Sequence, residues 1–178
     1  GIPLRSVSGT MAYRPPGVLQ LYAVTARAAG GRVVAAGTYA TSDAARTTAQ
    51  DGIAFVGTQM TGKGLRGIGV PIDRGRIGVA GTLAAQAGPL PAFTGGVVIR
   101  GGGAQQYAIS GTATLALRGT SLQISNALAA LGPAYGYVDG TMASLVSGGP
   151  TYDLRADVPA APVDGTLRAL GFPTYETD

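Results

Sequence analysis

Cysteine, histidine and tryptophan are all absent from the 178 residues. Without cysteine the chain has neither a disulfide framework nor a thiolate metal site. Without histidine the commonest general base and the commonest zinc ligand are missing, and a Ser-His-Asp triad cannot be built. Charge is also scarce. Asp, Glu, Lys and Arg make up 12% of the chain, about half the usual share. Lysine occurs once, at Lys63, so arginine carries almost all of the positive side of the +4 net charge. No apolar run reaches the roughly 18 residues that a membrane-crossing helix needs, and no secretory leader is recognisable. The chain begins at Gly1 and ends at Asp178 in mid-pattern, and the expectation is an excised section of a longer protein.

The arginines stand apart along the chain, with Arg74 and Arg76 the only near neighbours. A nucleic-acid footprint requires clustered basic residues with aromatics between them, so no nucleic-acid partner is expected.

Glycine accounts for 30 of the 178 residues, well above the roughly 7% of average usage. Valine, leucine and isoleucine recur throughout, so the chain is not low-complexity and should bury a core. The clearest stretch is Tyr107–Arg118. Tyr107, Ile109, Gly111, Ala113, Leu115 and Leu117 fall on one parity, and Ala108, Ser110, Thr112, Thr114, Ala116 and Arg118 on the other. A period of two is a β-strand with one apolar and one polar face.

Other segments repeat this alternation. Strands are expected at Leu4–Arg14, Val18–Arg27, Val33–Thr41, Ile53–Met60, Arg76–Ala85, Gly96–Arg100, Tyr135–Val146 and Tyr152–Val158, with a last half-unit at Val163–Leu170. Val18–Arg27 is ambiguous, because Leu19 and Leu21 share one parity while Val18, Tyr22 and Val24 share the other. Pro15-Pro16-Gly17 and Ala29-Gly30-Gly31 read as turns. Residues 42–51 break the pattern as a short helix or loop. Asn126–Gly132 is the best helix candidate, closed by Gly132-Pro133. The fold class expected is all-β: a repetitive antiparallel meander over residues 1–178, forming a long curved sheet with a hydrophobic concave face and one short helix at most.

A Gly-Thr pair recurs at Gly9, Gly37, Gly81, Gly111, Gly140 and Gly165, spaced 28, 44, 30, 29 and 25 residues apart. Such spacing describes a hairpin-sized unit repeating with drift. In most of these strands the glycine and the residue after the threonine share the apolar face. A glycine in mid-strand weakens the strand unless it permits a bulge, a bend or a close approach. The glycines therefore either bend the sheet or keep a groove open.

Catalytic motifs are missing. Asp153 and Asp157 flank Arg155 on one strand face, which reads as a solvated outer surface. Gly101-Gly102-Gly103-Ala104 lacks the Lys-Ser or Lys-Thr of a phosphate loop and opens a strand, not a helix. Asp73 and Asp139 are placed at turns or strand starts, where aspartate is ordinary. No enzyme, no metal and no cofactor is expected.

The run Val7-Ser-Gly-Thr-Met-Ala-Tyr-Arg14, followed by Val18-Leu-Gln-Leu-Tyr-Ala-Val-Thr-Ala-Arg27, Gly30-Gly31-Arg32-Val33 and Ala36-Gly-Thr-Tyr39, resembles the AsmA-like and TamB-like family of envelope proteins. Leu154-Arg-Ala-Asp-Val158 with Val163-Asp-Gly-Thr-Leu167 is a second echo. The resemblance implies an interior section of a periplasmic protein whose full length is anchored in the inner membrane. It implies a taco-like β-sheet that carries phospholipid acyl chains between membranes, and a link to outer-membrane protein assembly through a barrel partner bound by parts outside this section. The expected lipid-facing residues are Ile77, Val79, Leu83, Val97, Ile99, Ile109, Leu115, Leu117, Leu122, Ile124, Val138, Met142, Tyr152 and Leu154. The alternatives are a β-solenoid adhesin or autotransporter passenger, whose coils repeat more strictly, and a viral or phage structural β-sandwich with no ligand.

Overall fold

Alternating apolar and polar side chains drive nearly all of this chain into strands. The computed structural model describes residues 2–46, 52–65, 72–87, 89–104, 107–132, 134–145, 149 and 151–160. Ten strands follow one another: β1 (Leu4–Arg14), β2 (Val18–Ala28), β3 (Gly31–Ala40), β4 (Ile53–Thr61), β5 (Arg74–Ala84), β6 (Ala92–Ala104), β7 (Tyr107–Arg118), β8 (Ser121–Leu131), β9 (Ala134–Ala143) and β10 (Thr151–Ala160). Two one-turn helices interrupt them, α1 (Asp43–Arg46) and α2 (Gly62–Leu65). All ten strands lie in one sheet in the order of the sequence, and every neighbouring pair is antiparallel. The sheet is open, with β1 and β10 as its edges. At about 4.8 Å between strands it is roughly 43 Å across.

The all-β antiparallel meander expected from the sequence is the observed fold. Three local expectations need correction. Asn126–Gly132 is not a helix, because Asn126–Leu131 belongs to β8 and is paired on both sides, with β7 and β9. Those two ladders satisfy its backbone where a single helical turn would leave most groups orphaned. The short strand at Gly96–Arg100 is the middle of β6, 13 residues long, whose glycines continue the ladder. Two one-turn helices stand where at most one was expected. Residues 42–46 close β3 and enter α1, yet β3 and β4 pair directly across this interruption, with Gly37 opposite Ile53. The half-unit at 163–170 lies outside the described residues.

Each even-numbered strand carries an extra residue against at least one neighbour, and β1 carries one between Arg5 and Ser8. The shifts fall at Leu21/Val24, Gly57/Met60, Ile99/Gly102 and Ile124/Ala127, and at Asp157/Ala160 in β10. In the first four the extra residue takes positive φ: Ala23 at 50°, Gln59 at 57°, Gly101 at 56° and Asn126 at 51°. These are β-bulges, which bend the strand and increase its twist. The bulge in β2 resolves the ambiguous parity of Val18–Arg27. It moves Val24, Ala26 and Ala28 onto the face of Leu19 and Leu21.

Candidate functional site

Direct cross-strand partners share a face of a sheet, so the register assigns each residue to one side. One row runs through all ten strands: Met11, Leu21, Gly37, Ile53, Leu83, Phe93, Leu117, Leu122, Met142 and Tyr152. Nine are apolar or aromatic and the tenth is glycine. A parallel row runs from Val24 through Ala35, Phe55, Gly81, Gly95, Leu115, Ile124 and Gly140 to Leu154. All fourteen residues expected to face lipid lie on this one side of the sheet.

They are not equally accessible. At the foot of the strands, where β2 meets β3 and β6 meets β7, the apolar side is covered by a small cluster. Ala29, Met60, Leu65, Ile72 and Ile77 form it, and Val79, Val97 and Ile99 pack against it. Ile77 is only 4% exposed. Of the fourteen, Ile77 is therefore a core residue, and Val79, Val97 and Ile99 are partly buried against the cluster. The other ten lie beyond the cluster and are partly or largely exposed: Leu83, Ile109, Leu115, Leu117, Leu122, Ile124, Val138, Met142, Tyr152 and Leu154. At the edges Met11 and Tyr152 are each 60% exposed and Leu154 47%. Among the described residues no second sheet faces this side. The whole chain exposes 11063 Å², against roughly 7900 Å² for a compact monomer of its mass. A single sheet with solvent on both faces accounts for the direction of that difference.

Glycines shape the apolar side. Phe55 and Phe93 stack at 5.9 Å between centroids, over Gly81 and Gly95, which are opposite each other. A Cβ on Gly95 would meet the tip of the Phe93 ring at 2.8 Å, so the ring needs both glycines. At Gly140, with φ +150°, an added Cβ would collide with the carbonyl oxygen of Asp153 and stand 2.8 Å from the Leu154 α-carbon. Gly9 lies against the bulge residue Ala23, and Gly37, Gly111 and Gly140 are opposite Leu21, Ile99 and Ile124, the last regular partners before the bulges at Ala23, Gly101 and Asn126. The recurring Gly-Thr pair is thus mainly a backbone device for bending, with the following residue returned to the apolar side.

The opposite side, the more polar of the two, carries the threonines of the repeat, interspersed with exposed Tyr22, Val34, Val56, Leu128, Tyr135 and Tyr137. Asp139 stands within β9, not at its start. Its carboxylate accepts a hydrogen bond of 2.8 Å from the backbone N–H of the bulge residue Asn126, and it lies opposite Arg155. Asp153, Arg155 and Asp157 are exposed on the same side of β10, as a solvated outer surface requires. A hollow of about 400 Å³ over the small residues Gly78, Ala80 and Gly96 lies on this side.

The arginines, separated in the sequence, are brought together here. Arg5, Arg27 and Arg32 are direct neighbours on β1, β2 and β3, and Arg76 is opposite Arg100 on β5 and β6. All five are exposed at the foot of the polar side. Linear spacing did not reveal them. Hairpin arithmetic could have, because the end of one strand and the start of the next meet at the same end of a meander.

Among the described residues no group of three or more His, Cys, Asp or Glu is placed to hold a metal ion, and no helix is long and apolar enough to cross a membrane. Fold and surface together define an open antiparallel β-meander with one largely uncovered apolar side. Comparison with known proteins found no matching family, no matching curated protein and no matching solved structure.

Proposed function

We propose that the apolar side of this sheet shelters lipid acyl chains, and that the chain is a periplasmic section of an AsmA-like or TamB-like bridge that moves phospholipid between the inner and outer membranes. The observation that carries this reading is the row from Met11 to Tyr152, which contains no charged side chain and, among the described residues, is not capped by a second sheet. Shielding an acyl methylene from water is worth about 0.8 kcal/mol. A chain of about 16 carbons lying on the sheet with one flank covered would gain roughly 6 kcal/mol. Such a surface needs no specific pocket, only continuity, and the register supplies it across every strand.

The ten residues outside the foot cluster form the path in this reading, while Ile77, Val79, Val97 and Ile99 hold the foot closed. A solenoid is disfavoured because its coils stack in parallel, whereas every pair here is antiparallel. A sandwich is disfavoured because its apolar face is covered by a second sheet. A role in outer-membrane protein assembly with a barrel partner would involve parts of the protein beyond this section.

The test is native mass spectrometry after mild extraction. Co-purifying phospholipid, displaced by added detergent, is the expected result. Protein that emerges lipid-free, and that takes up no fluorescent phospholipid from donor vesicles, would overturn the reading.

A further inference from the structure

The polar side has its own organised feature, independent of what the apolar side carries. Arg5, Arg27 and Arg32 lie directly opposite one another with Thr58 next on β4, and Arg76, opposite Thr61 and so offset toward the foot, pairs with Arg100. The row crosses six strands, roughly 24 Å. Like charges directly opposite each other destabilise a sheet, and no carboxylate among the described residues lies in this row. Asp73 precedes β5 beside Arg74, and Asp139, Asp153 and Asp157 are on β9 and β10, at the far end of the strand order. Among the described residues, positive and negative charges are interleaved on β9 and β10 but not at the foot of β1 to β6.

The surface beneath the arginines is concave. A hollow of about 560 Å³ is lined by Thr25, Arg27, Arg32, Thr58 and Gln59. It shares Thr58 and Gln59 with a second hollow, of about 230 Å³, that contains Arg76 and Arg100. Arg76 is steadied by donating from one terminal nitrogen to the Gln59 carbonyl at 3.4 Å. The result is a continuous trough with four guanidinium groups and two threonine hydroxyls on its walls. A guanidinium presents a planar fork of donors that matches the oxygens of a phosphate group, and such charge-assisted bonds are about twice as strong as neutral ones.

We propose that the foot of the polar side is an oxyanion-binding trough that takes phosphate groups through Arg27, Arg32, Arg76 and Arg100. No aromatic side chain lines it, so bases have nothing to stack on, and the chemistry recognised is the phosphate itself. That group can be presented by an anionic lipid surface or by a soluble phosphate compound.

The experiment measures the full chain and the double variant Arg27→Gln/Arg32→Gln against two probes. Inorganic pyrophosphate is titrated by calorimetry, and vesicles of phosphatidylcholine with or without phosphatidylglycerol are used in flotation. The expected result is binding of at least one probe, weakened at least about tenfold in the double variant and weakened further by salt. Binding to the phosphatidylglycerol vesicles alone assigns the phosphate to a lipid surface, and binding to pyrophosphate assigns it to a soluble ligand. Arg118→Gln, on the same side of β7 but at its other end, should leave binding within about twofold. The double variant should melt no lower than the parent, since it removes two opposed like charges, so lost binding is not lost folding. The proposal is overturned if neither probe binds, if Arg118→Gln weakens binding as much as the double variant, or if an oligodeoxythymidine binds more tightly than both probes. None of these results depends on the apolar side.

Discussion

Leu115→Arg separates an open apolar surface from a closed core. Leu115 lies near the middle of β7, between Gly95 on β6 and Ile124 on β8, and is only partly buried. Full burial of a leucine is worth about 1.5–3 kcal/mol. At partial burial, with the arginine stem retaining part of the contact, the substitution should cost about 1 kcal/mol. For a chain of this size that lowers the melting temperature by roughly 2–4 °C. Under a second layer, an unpaired guanidinium would instead cost about 3–5 kcal/mol, a large part of the 5–15 kcal/mol that holds a typical domain together. Along an acyl chain the same charge forces either its own desolvation or displacement of the lipid. The assay pairs a circular dichroism melt with photo-crosslinking to a phospholipid probe. The expected outcome is a folded sheet with crosslinking abolished, and Leu154→Arg at the exposed edge should behave alike with an even smaller shift in melting. If Leu115→Arg unfolds the protein, the side is covered and the reasoning fails. If the variant folds and still crosslinks normally, the lipid path lies elsewhere.

Three further outcomes follow from the backbone and the edges. Gly140→Ala should lower stability by about 1–3 kcal/mol in thermal melts, since φ +150° and the adjacent β10 backbone both oppose a Cβ; an unchanged melt would show that β9 and β10 are not this close. Asp139→Ala should cost about 1 kcal/mol by removing the acceptor for the Asn126 N–H, and Asp139→Asn, which keeps a side-chain oxygen, should recover most of it. Among the described residues β1 and β10 are the outer strands of the sheet, beside Met11 and Tyr152, both 60% exposed, and open edges template pairing between copies. Met11→Lys with Tyr152→Lys should therefore raise the monomer fraction in sedimentation at high concentration, and unchanged association would place the contact away from the edges.

Much of this architecture was legible because parity is a local property. Ile77, Val79 and Leu83, or Leu115 and Leu117, need only their own strand to reveal a shared side, and pairing of neighbours in sequence then joins the strands' apolar sides. What was not legible depended on partners. Asn126–Gly132 has good helical composition, yet two flanking strands supply better hydrogen bonding than one helical turn. The glycines of β6 look like breaks until neighbouring strands show that the ladder runs through them. The foot cluster that buries Ile77 and partly covers Val79, Val97 and Ile99 arises from Leu65 and Ile72 folding over the sheet, which no periodicity encodes.

The bulges tie these observations together. Counting by twos from Met11 and Tyr13 places Arg5 on the apolar side, and counting from Leu19 and Leu21 does the same for Arg27. In β1 the register shift between Arg5 and Ser8, where Ser6 has φ 50°, moves Arg5 to the other side. The extra residue at Ala23 does this for Arg27. Arg32 needs no such correction, because β3 is regular between Arg32 and Gly37. Two bulges in adjacent strands thus keep two charges off the apolar side and, in the same step, align them with a third. A non-glycine residue held at positive φ costs on the order of 1 kcal/mol or more, and placing three guanidinium groups in register adds repulsion. Bending the sheet explains why bulges occur, but not why they set like charges opposite each other. A ligand that bridges the arginines explains both, because its binding energy offsets the repulsion that the empty sheet retains.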